Sequence, residues 1–381
     1  MTFLHVSDLH IGKKLCGKPL MEDQKHILHE ILDMAAAPDV DAVLIAGDLY
    51  DKSQPSGEAV EASGAFLAAL SRLNRPVFVI SGNHDCPEQV SYCAPILAGA
   101  NVHVSPAFTG APAPVALRDA YGELRVYLLP FVRPSQVRRA LPERAGEIRS
   151  YADALRVIVE EMHIDVRVRN VLLAHQFVTG GAAVLTDSEE RMVGGVDEVP
   201  WEVFRDFDYV ALGHLHAPQR AGSDRILYAG SPLKYSQSEE SQKKAALKVT
   251  LGEKGDFRVE ALPYHPLRDV RSVKGQLRDL TREETPDRDY VFATLTDEVP
   301  PLDPMGTLLQ RYPNLVQLRR ENSRTGGKVE TIAERVEERN PLEHFTAFFA
   351  AQNNGQMPTP GQMALMKKII EEAEVKSGAS H

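Results

Sequence analysis

Short runs of apolar, mostly β-branched residues recur along the first two thirds of the chain, and each run ends abruptly in polar residues. This pattern is typical of buried strands in a layered α/β protein. The first three runs cover residues 3–8, 42–48 and 77–85. Between them, apolar residues at helical spacing predict helices over residues 22–37 and 58–73. The chain is therefore predicted to begin with a βαβαβ unit.

The pattern changes twice further along the chain. Additional strands are predicted from residues 124, 171, 209 and 226, followed by an alternating pair over 245–251 and 257–264. Beyond residue 265 the sequence is charged and interrupted by prolines, and it predicts a strand over 290–296, a helix over 305–312 and a strand over 315–320. Two amphipathic helices are predicted over 341–352 and 360–374. We therefore expect a large α/β domain (1–265), a small α+β domain (266–322), a polar linker (323–340) and a helical segment (341–381).

Composition places the chain among ordinary globular proteins. Hydrophobic residues make up 43% and charged residues 25% of its 381 residues, and no stretch approaches the roughly 18 apolar residues of a membrane span. The first strand leaves no room for a signal peptide, and the three cysteines form no disulfide pattern, so we expect a cytoplasmic protein with reduced thiols. The formal net charge of −10 argues against a nucleic-acid partner, unless metal ions neutralise clustered carboxylates.

Clusters of polar residues follow five of the predicted strands. They are Asp8 with His10, Asp48 with Asp51, Asn83 with His84 and Asp85, His175, and His214 with His216. Open α/β sheets gather their sites at the carboxyl ends of strands, so these clusters are predicted to meet. Carboxylate, amide and imidazole groups together suit a divalent ion of intermediate hardness. Each cluster alone is an ordinary surface motif, but their order and placement together indicate a metal centre.

The succession D-x-H, G-D, G-N-H-D, H and G-H-x-H resembles the signature of calcineurin-like metallophosphoesterases. Longer segments are similar to the SbcD family, bacterial relatives of a recombination nuclease of archaea and eukaryotes: LHVSDLHIGKKL, LIAGDLYD, ISGNHDCPE, LLAHQFVTG, ALGHLHAPQ and YAGSPLKYSQSE. The similarity is dense to about residue 265, and LEHFTAFFAAQNNGQMP resembles the family's C-terminal tail. The resemblance implies a β-sandwich flanked by helices, with a small α+β capping domain and a C-terminal helical docking segment.

The same resemblance implies a site with two metal ions per subunit. Asp8, His10 and His216 would hold the first ion, Asn83, His175 and His214 the second, and Asp48 would bridge them. Two ions that share a carboxylate activate a water as the nucleophile. Nitrogen and oxygen ligands without a thiolate suit Mn²⁺, the expected ion, and are also compatible with Mg²⁺, Fe²⁺, Zn²⁺ and Co²⁺.

Further roles follow from the resemblance for residues that are not ligands. His84 would face the scissile phosphate and protonate the leaving oxygen. Asp51 would orient His84, although archaeal nucleases place a histidine there, and capping of the turn after Tyr50 is an equally good interpretation. Asp85 is expected to shape its loop as a hydrogen-bond acceptor. Lys234 would either contact phosphate or serve a structural role at the surface.

The implied function is that of a hydrolase with exonuclease activity on double-stranded DNA ends and endonuclease activity on single strands and hairpins. It would act in repair and recombination with an SbcC-type ABC ATPase. The implied assembly is a homodimer within a heterotetramer. The predicted C-terminal helices carry apolar stripes suited to docking, although the alternative is that they fold back on their own domain: Phe345, Phe348, Phe349, Met363, Met366, Ile369 and Ile370. A free-standing phosphoesterase on small phosphodiesters is the alternative function, and it needs neither appended region. A metal-free scaffold is disfavoured because every ligand position carries a competent residue.

Overall fold

Strands and helices alternate through the first part of the chain. The computed structural model describes residues 1–181, 184–187, 189, 197–283, 285–321, 341–352 and 357–378. In chain order, the strands are β1 Thr2–Val6, β2 Lys14–Leu15, β3 Lys18–Pro19, β4 Ala42–Ala46, β5 Val77–Ile80, β6 Val102–Val104, β7 Val115–Asp119, β8 Gly122–Leu129, β9 Arg169–His175, β10 Val178–Thr179, β11 Val199–Pro200, β12 Tyr209–Gly213, β13 Gln219–Ala221, β14 Ser223–Tyr228, β15 Ala245–Leu251, β16 Phe257–Pro263, β17 Val270–Gly275, β18 Tyr290–Leu295 and β19 Leu315–Arg320. The helices are α1 Met21–Ala36, α2 Gly57–Ser71, α3 Pro87–Val90, α4 Ala94–Ala98, α5 Pro134–Ala140, α6 Tyr151–Glu161, α7 Leu277–Leu280, α8 Pro304–Arg311, α9 Pro341–Gln352 and α10 Pro360–Gly378. The chain divides into two units, Met1–Arg319 and Arg320–His381.

Two six-stranded sheets form the centre of the first unit. The first has the order β16-β15-β1-β4-β5-β6, and the second has the order β13-β14-β12-β9-β8-β7. Their apolar faces share one core, in which Phe3 and Phe78 of the first sheet lie with Val171 and Tyr209 of the second. The predicted β-sandwich is confirmed.

Helices cover the outer faces of this sandwich. On the first sheet, Ile31 of α1 and Phe66 of α2 belong to the same buried cluster as Val43 of β4. On the second sheet, Leu155 of α6 packs in a cluster with Leu172 of β9. Burying the apolar stripe of each helix against a sheet is the main stabilisation of such layers. The result is the α/β fold that the sequence predicts.

A small α+β unit follows the sandwich within Met1–Arg319. Strands β17, β18 and β19 form a three-stranded sheet, and its core includes residues of α7 and α8. The two strands and the helix predicted here are confirmed, whereas β17 was not predicted. The Asp23 carboxylate of α1 accepts hydrogen bonds from Arg268 Nη1 at 2.7 Å and from the Tyr290 hydroxyl at 2.8 Å. These bonds attach the small sheet to the first helix.

The second unit contains α9 and α10. The Thr346 hydroxyl lies 3.6 Å from Met363 Sδ, and the rings of Phe345 and Phe349 have centroids 5.8 Å apart. Both predicted C-terminal helices are confirmed, and the predicted linker over 323–340 lies outside the described residues. Within the described part of the chain, none of the helices has both the length and the apolar character needed to span a bilayer.

Candidate metal centre

The loops after β1, β4, β5, β9 and β12 bring the predicted ligands to one edge of the sandwich. Strands β1, β4 and β5 run parallel in the first sheet, and β9 and β12 run parallel in the second. Because carboxyl ends of parallel strands share an edge, the side chains after them converge. Six of the seven predicted ligands are buried: Asp8, His10, Asp48, His175, His214 and His216. The seventh is Asn83, which is partly exposed.

Asp8, His10 and His216 form the first group of candidate ligands, with donor atoms within 4.8 Å of one another. The Nε2 atoms of His10 and His216 are 3.1 Å apart. Asp8 Oδ1 accepts a hydrogen bond from the backbone N–H of His214 at 2.9 Å, while Asp8 Oδ2 is buried without a hydrogen-bond partner. An unpartnered carboxylate oxygen is costly to bury, and a cation would satisfy it.

Asn83, His175 and His214 form the second group. Asn83 Oδ1 lies 3.1 Å from His175 Nε2 and 3.0 Å from His214 Nδ1. The Nδ1–H of His175 donates to the Ala46 carbonyl at 2.8 Å, which directs Nε2 of this ring towards the site. This arrangement, with one ring nitrogen fixed by a hydrogen bond and the other facing the ligand cluster, is common among metal-binding histidines.

The Asp48 carboxylate lies between the two groups. Its Oδ2 is 3.5 Å from His10 Nε2 and 3.2 Å from His175 Nε2. Its Oδ1 accepts the backbone N–H of His84 at 2.9 Å. Asp48 thus contacts members of both groups, which is the position that a bridging ligand requires.

Tight loops make this convergence possible. A Cβ atom at Gly82 would overlap the Asp48 carboxylate, and one at Gly213 would overlap the Ala46 carbonyl. Asp8, His10 and Asp48 adopt left-handed backbone conformations, with φ of 52°, 43° and 50°. Such conformations are unfavourable for residues with a Cβ and occur where the surrounding structure enforces them, often at functional sites.

The charges within the site suit a divalent cation. Burial opposes ionisation of Asp48, but the nearby imidazoles, led by His175, outweigh it and hold the pKa of this carboxyl well below its usual range. Burial also opposes protonation of His175, yet Asp48 outweighs it and raises the His175 pKa to about 9. Burial lowers the pKa of His10, and it lowers that of His214 to about 3, so both rings are neutral and can use lone pairs. A cation would replace the proton between Asp48 and His175.

His84 and Asp51 are in contact through the backbone of Asp51, whereas the sequence suggests a contact with its side chain. His84 Nδ1 donates to the backbone carbonyl of Asp51 at 2.9 Å. The Asp51 carboxylate pairs with Lys13 Nζ at 2.7 Å, and hydrogen bonds between charged partners are stronger than those between neutral ones. The His84 ring packs edge-on against that of His10, with centroids 4.8 Å apart. The backbone carbonyl of Asp51 is therefore one group that can orient the His84 ring.

Asp85 accepts hydrogen bonds from three backbone N–H groups, those of Leu49, Tyr50 and Gly82, at 3.0, 2.9 and 2.9 Å. This confirms its predicted loop-shaping role. Burial, together with the charge of Asp48, raises the Asp85 pKa to about 6.

Lys234 is engaged in structural contacts. Its ammonium pairs with Asp269 at 2.7 Å and donates to the Glu240 carbonyl at 2.6 Å. Of the two interpretations of this residue, the structural one matches these contacts.

Several contacts to the site were missed by sequence reasoning. Gln24 Nε2 donates to the His10 carbonyl at 2.7 Å, and the backbone N–H of His216 donates to Glu189 at 2.7 Å. Glu239 and Lys244 lie beside His216. Only Glu239 had a signal, because it ends the segment YAGSPLKYSQSE, whereas the others stand in unremarkable polar sequence.

Comparisons with known proteins match both parts of the chain. Residues 1–218 match the family model Metallophos, described as calcineurin-like phosphoesterase. Residues 266–353 match the model SbcD_C, described as the type 5 capsule protein repressor C-terminal domain. The SbcD subunit of the SbcCD nuclease of Staphylococcus epidermidis is 33% identical over 325 residues, which cover 84% of this chain and 85% of that protein.

Solved structures are more distant. A dimetal phosphatase from Danio rerio has 11% identity and a TM-score of 0.38, over 68% of this chain and 95% of that chain. A protein from Thermus thermophilus has 12% identity and a TM-score of 0.38, over 68% of this chain and 98% of that chain.

Proposed function

The chain belongs to the calcineurin-like phosphoesterase family and to its SbcD branch, and we propose that it is a metal-dependent nuclease that hydrolyses DNA phosphodiester bonds. The observation that carries this proposal is the position of Asp48, whose Oδ2 lies 3.5 Å from His10 and 3.2 Å from His175. A carboxylate shared by two groups of nitrogen and oxygen ligands suits a pair of divalent ions. The relative named as part of a nuclease supports nucleic-acid phosphodiesters as the substrate, and we propose that the nucleic acid is DNA.

Seven residues are proposed as ligands. Asp8, His10 and His216 would hold one ion, Asn83, His175 and His214 the other, and Asp48 both. We expect Mn²⁺, since the set lacks thiolates and mixes imidazole with hard oxygen ligands. When bound, the ions would supply a hydroxide nucleophile near neutral pH and would stabilise negative charge on the phosphate.

The protein's own contribution to the reaction centres on His84. Its Nδ1–H donates to the Asp51 carbonyl, which fixes the plane of the ring and leaves Nε2 to carry the second proton when the imidazole is doubly protonated. In the proposed step, that proton moves to the departing 3′ or 5′ oxygen as the phosphorus–oxygen bond breaks. The backbone N–H of His84 donates to Asp48, so the same loop that carries the acid also orients the bridging carboxylate.

The appended regions are proposed to serve assembly and substrate binding. The relative's name places it in an SbcCD complex, and we propose an SbcC-type ABC ATPase as the partner, with α9 and α10 as the docking segment. Residues 266–322 are proposed to cap the DNA, and the preferred substrates are DNA ends and hairpins. A homodimer within a heterotetramer and a cytoplasmic location remain part of this proposal.

The test is a nuclease assay with Mn²⁺ on linear duplex and hairpin DNA, with and without the ATPase. We expect cleavage that is lost in Asp48→Asn, which removes the shared carboxylate charge. Cleavage of a small chromogenic phosphodiester without cleavage of either DNA would instead support the free-standing phosphoesterase.

A further inference from the structure

A buried ion pair lies beside the first group of candidate ligands. Lys244 Nζ is 2.6 Å from Glu239 Oε2, and the two residues are 8% and 0% exposed. Lys244 also donates to the Ser231 hydroxyl at 2.8 Å and to Gln242 Oε1 at 2.7 Å. In many proteins, the free energy needed to remove two charges from water exceeds the free energy gained from their attraction. A buried ion pair is therefore weak evidence for a stabilising role.

Both members of the pair contact His216. Glu239 Oε1 lies 3.5 Å from His216 Nδ1, and Lys244 Nζ donates to the His216 backbone carbonyl at 2.8 Å. The backbone N–H of Ser231 donates to the same carbonyl at 3.1 Å. The ring and the backbone of this one histidine are thus held by the two charges.

The carboxylate itself has little freedom to rotate. Ser236 Oγ donates to Glu239 Oε1 at 3.1 Å, while Lys244 and Ser231 Oγ occupy Oε2 at 2.6 and 3.3 Å. A carboxylate fixed in this way presents Oε1 to His216 Nδ1 and favours the tautomer with the proton on that nitrogen. The lone pair then lies on Nε2, the atom that faces His10 Nε2 at 3.1 Å.

We propose that Glu239 and Lys244 are positioning residues that set the ring orientation and tautomer of His216 for metal binding. Glu239 acts on the ring, and Lys244 fixes Glu239 and the backbone of His216. The inference rests on the proposed function, because it assigns His216 to the first ion. Removing such outer partners of a ligand histidine typically weakens metal affinity by about 10–100-fold.

The experiment measures Mn²⁺ binding to the full chain by calorimetry, together with the imidazole ¹⁵N shifts of the metal-free protein labelled at histidine. Glu239→Gln keeps the size of the side chain and removes its charge, so it should weaken one of two binding steps by about 10–100-fold. The ¹⁵N signals of His216 should move towards a mixture of tautomers. Lys248→Met is the matched control, since Lys248 lies on the adjoining strand and pairs with Asp39 and Glu260 away from the site.

Lys244→Met leaves a buried carboxylate without its partner and is expected to destabilise the fold, so the double variant Glu239→Gln/Lys244→Met provides the second test. It removes both charges, and it should fold yet keep the weakened binding step. If either Glu239→Gln or the double variant binds two ions with wild-type affinity and keeps the wild-type His216 signals, the inference is wrong and the proposed function stands. If the wild-type chain itself binds fewer than two ions, the proposed two-metal function is overturned, and the inference falls with it.

Discussion

The Nε2 atoms of His10 and His216 lie 3.1 Å apart across a separation of 206 residues in the chain. One nitrogen belongs to the loop after β1 in the first sheet, and the other belongs to the loop after β12 in the second. From these backbone positions, both histidine rings already face a common point. The fold itself therefore brings together the first group of proposed ligands, and the metal affinity proposed for this group should respond to substitutions in a defined way.

Metal stoichiometry is the most direct consequence. We expect two Mn²⁺ ions per chain, and Asp48→Asn should lose at least one of them, because Asp48 contacts members of both ligand groups. Calorimetry and elemental analysis measure both quantities. Asp33→Asn, which removes an exposed charge on α1, serves as the control and should retain both ions. A single ion at saturation that persists in Asp48→Asn would contradict the assignment.

His84→Gln separates chemistry from metal binding. The variant should lower the rate of DNA cleavage by about 10²–10⁴-fold, the usual contribution of a general acid, while metal occupancy stays near that of the wild type. The bond from the His84 backbone N–H to Asp48 survives the substitution. Single-turnover cleavage and elemental analysis give the two values, with His163→Gln as an exposed-histidine control. Loss of both ions would place His84 among the ligands.

Asp51→Asn should have a small effect. The His84 ring is held by the Asp51 backbone carbonyl, which the substitution retains, while the lost carboxylate charge is that paired with Lys13. We expect a decrease in kcat of less than about tenfold, below the range for loss of a direct general acid. A decrease equal to that of His84→Gln, measured in the same assay, would show that the carboxylate acts on the ring after all.

The contact between Asp51 and His84 was only partly predictable from the sequence. The family resemblance implied that Asp51 orients His84, and the structure places the two residues in contact, but the resemblance did not specify whether the backbone or the side chain of Asp51 makes the contact. The pairing of the Asp51 carboxylate with Lys13 was not predicted either. The Glu239–Lys244 pair was missed for a similar reason, since charged residues in polar sequence are normally solvated.

The central strands of the sandwich were predictable because they are almost fully buried and form unbroken apolar runs: β1, β4, β5, β9 and β12. Among the strands that were not predicted, β7 and β17 have alternating exposure and charged residues. The others are only two or three residues long: β2, β3, β6, β10, β11 and β13. Half-exposed strands have a weaker hydrophobic pattern in the sequence. Assigning them requires knowledge of the neighbouring strand, which only the three-dimensional structure provides.

Acid should weaken the fold through Asp119. Its hydrogen bonds from Arg169, a buried guanidinium, lower the Asp119 pKa below the ordinary carboxyl value of 3.8. A lowered pKa in the folded state gives stability that is present above about pH 4 and is lost as the pH falls further. Asp119→Asn should therefore cost about 1–3 kcal/mol of unfolding free energy at pH 7, and less at pH 3, where the carboxyl of the unfolded chain is already mostly protonated.

Urea unfolding at the two pH values measures this difference. Asp224→Asn is the control, because Asp224 and its partner Arg220 are mostly exposed and such pairs contribute little. An equal loss for Asp119→Asn at both pH values would show that the ion pair is not its cause.

Truncation near Arg324 should separate catalysis from assembly. The proposed ligands lie within Met1–Arg319, so hydrolysis of a small chromogenic phosphodiester should survive, while binding to the ATPase should be lost. In the full chain, Phe348 is 62% exposed, and Phe348→Ala should weaken the complex by about 1.5–3 kcal/mol. Co-purification and calorimetry measure the effect, with Val166→Ala as an exposed apolar control. Undiminished binding by the truncated chain would place docking on the first unit.

Strand β1 lies between β4 and β15, and β15 enters the sheet almost 250 residues after β1 has been synthesised: Thr2 pairs with Thr250. On the ribosome, the first sheet cannot be completed until that late strand has emerged, and contacts so distant in sequence form slowly. Asp8 and His10 follow this strand, and His10 can meet His216 only after 206 further residues have been synthesised. A nascent chain therefore carries separate ligands and no assembled centre, so a nuclease of this design stays inactive while it is being made.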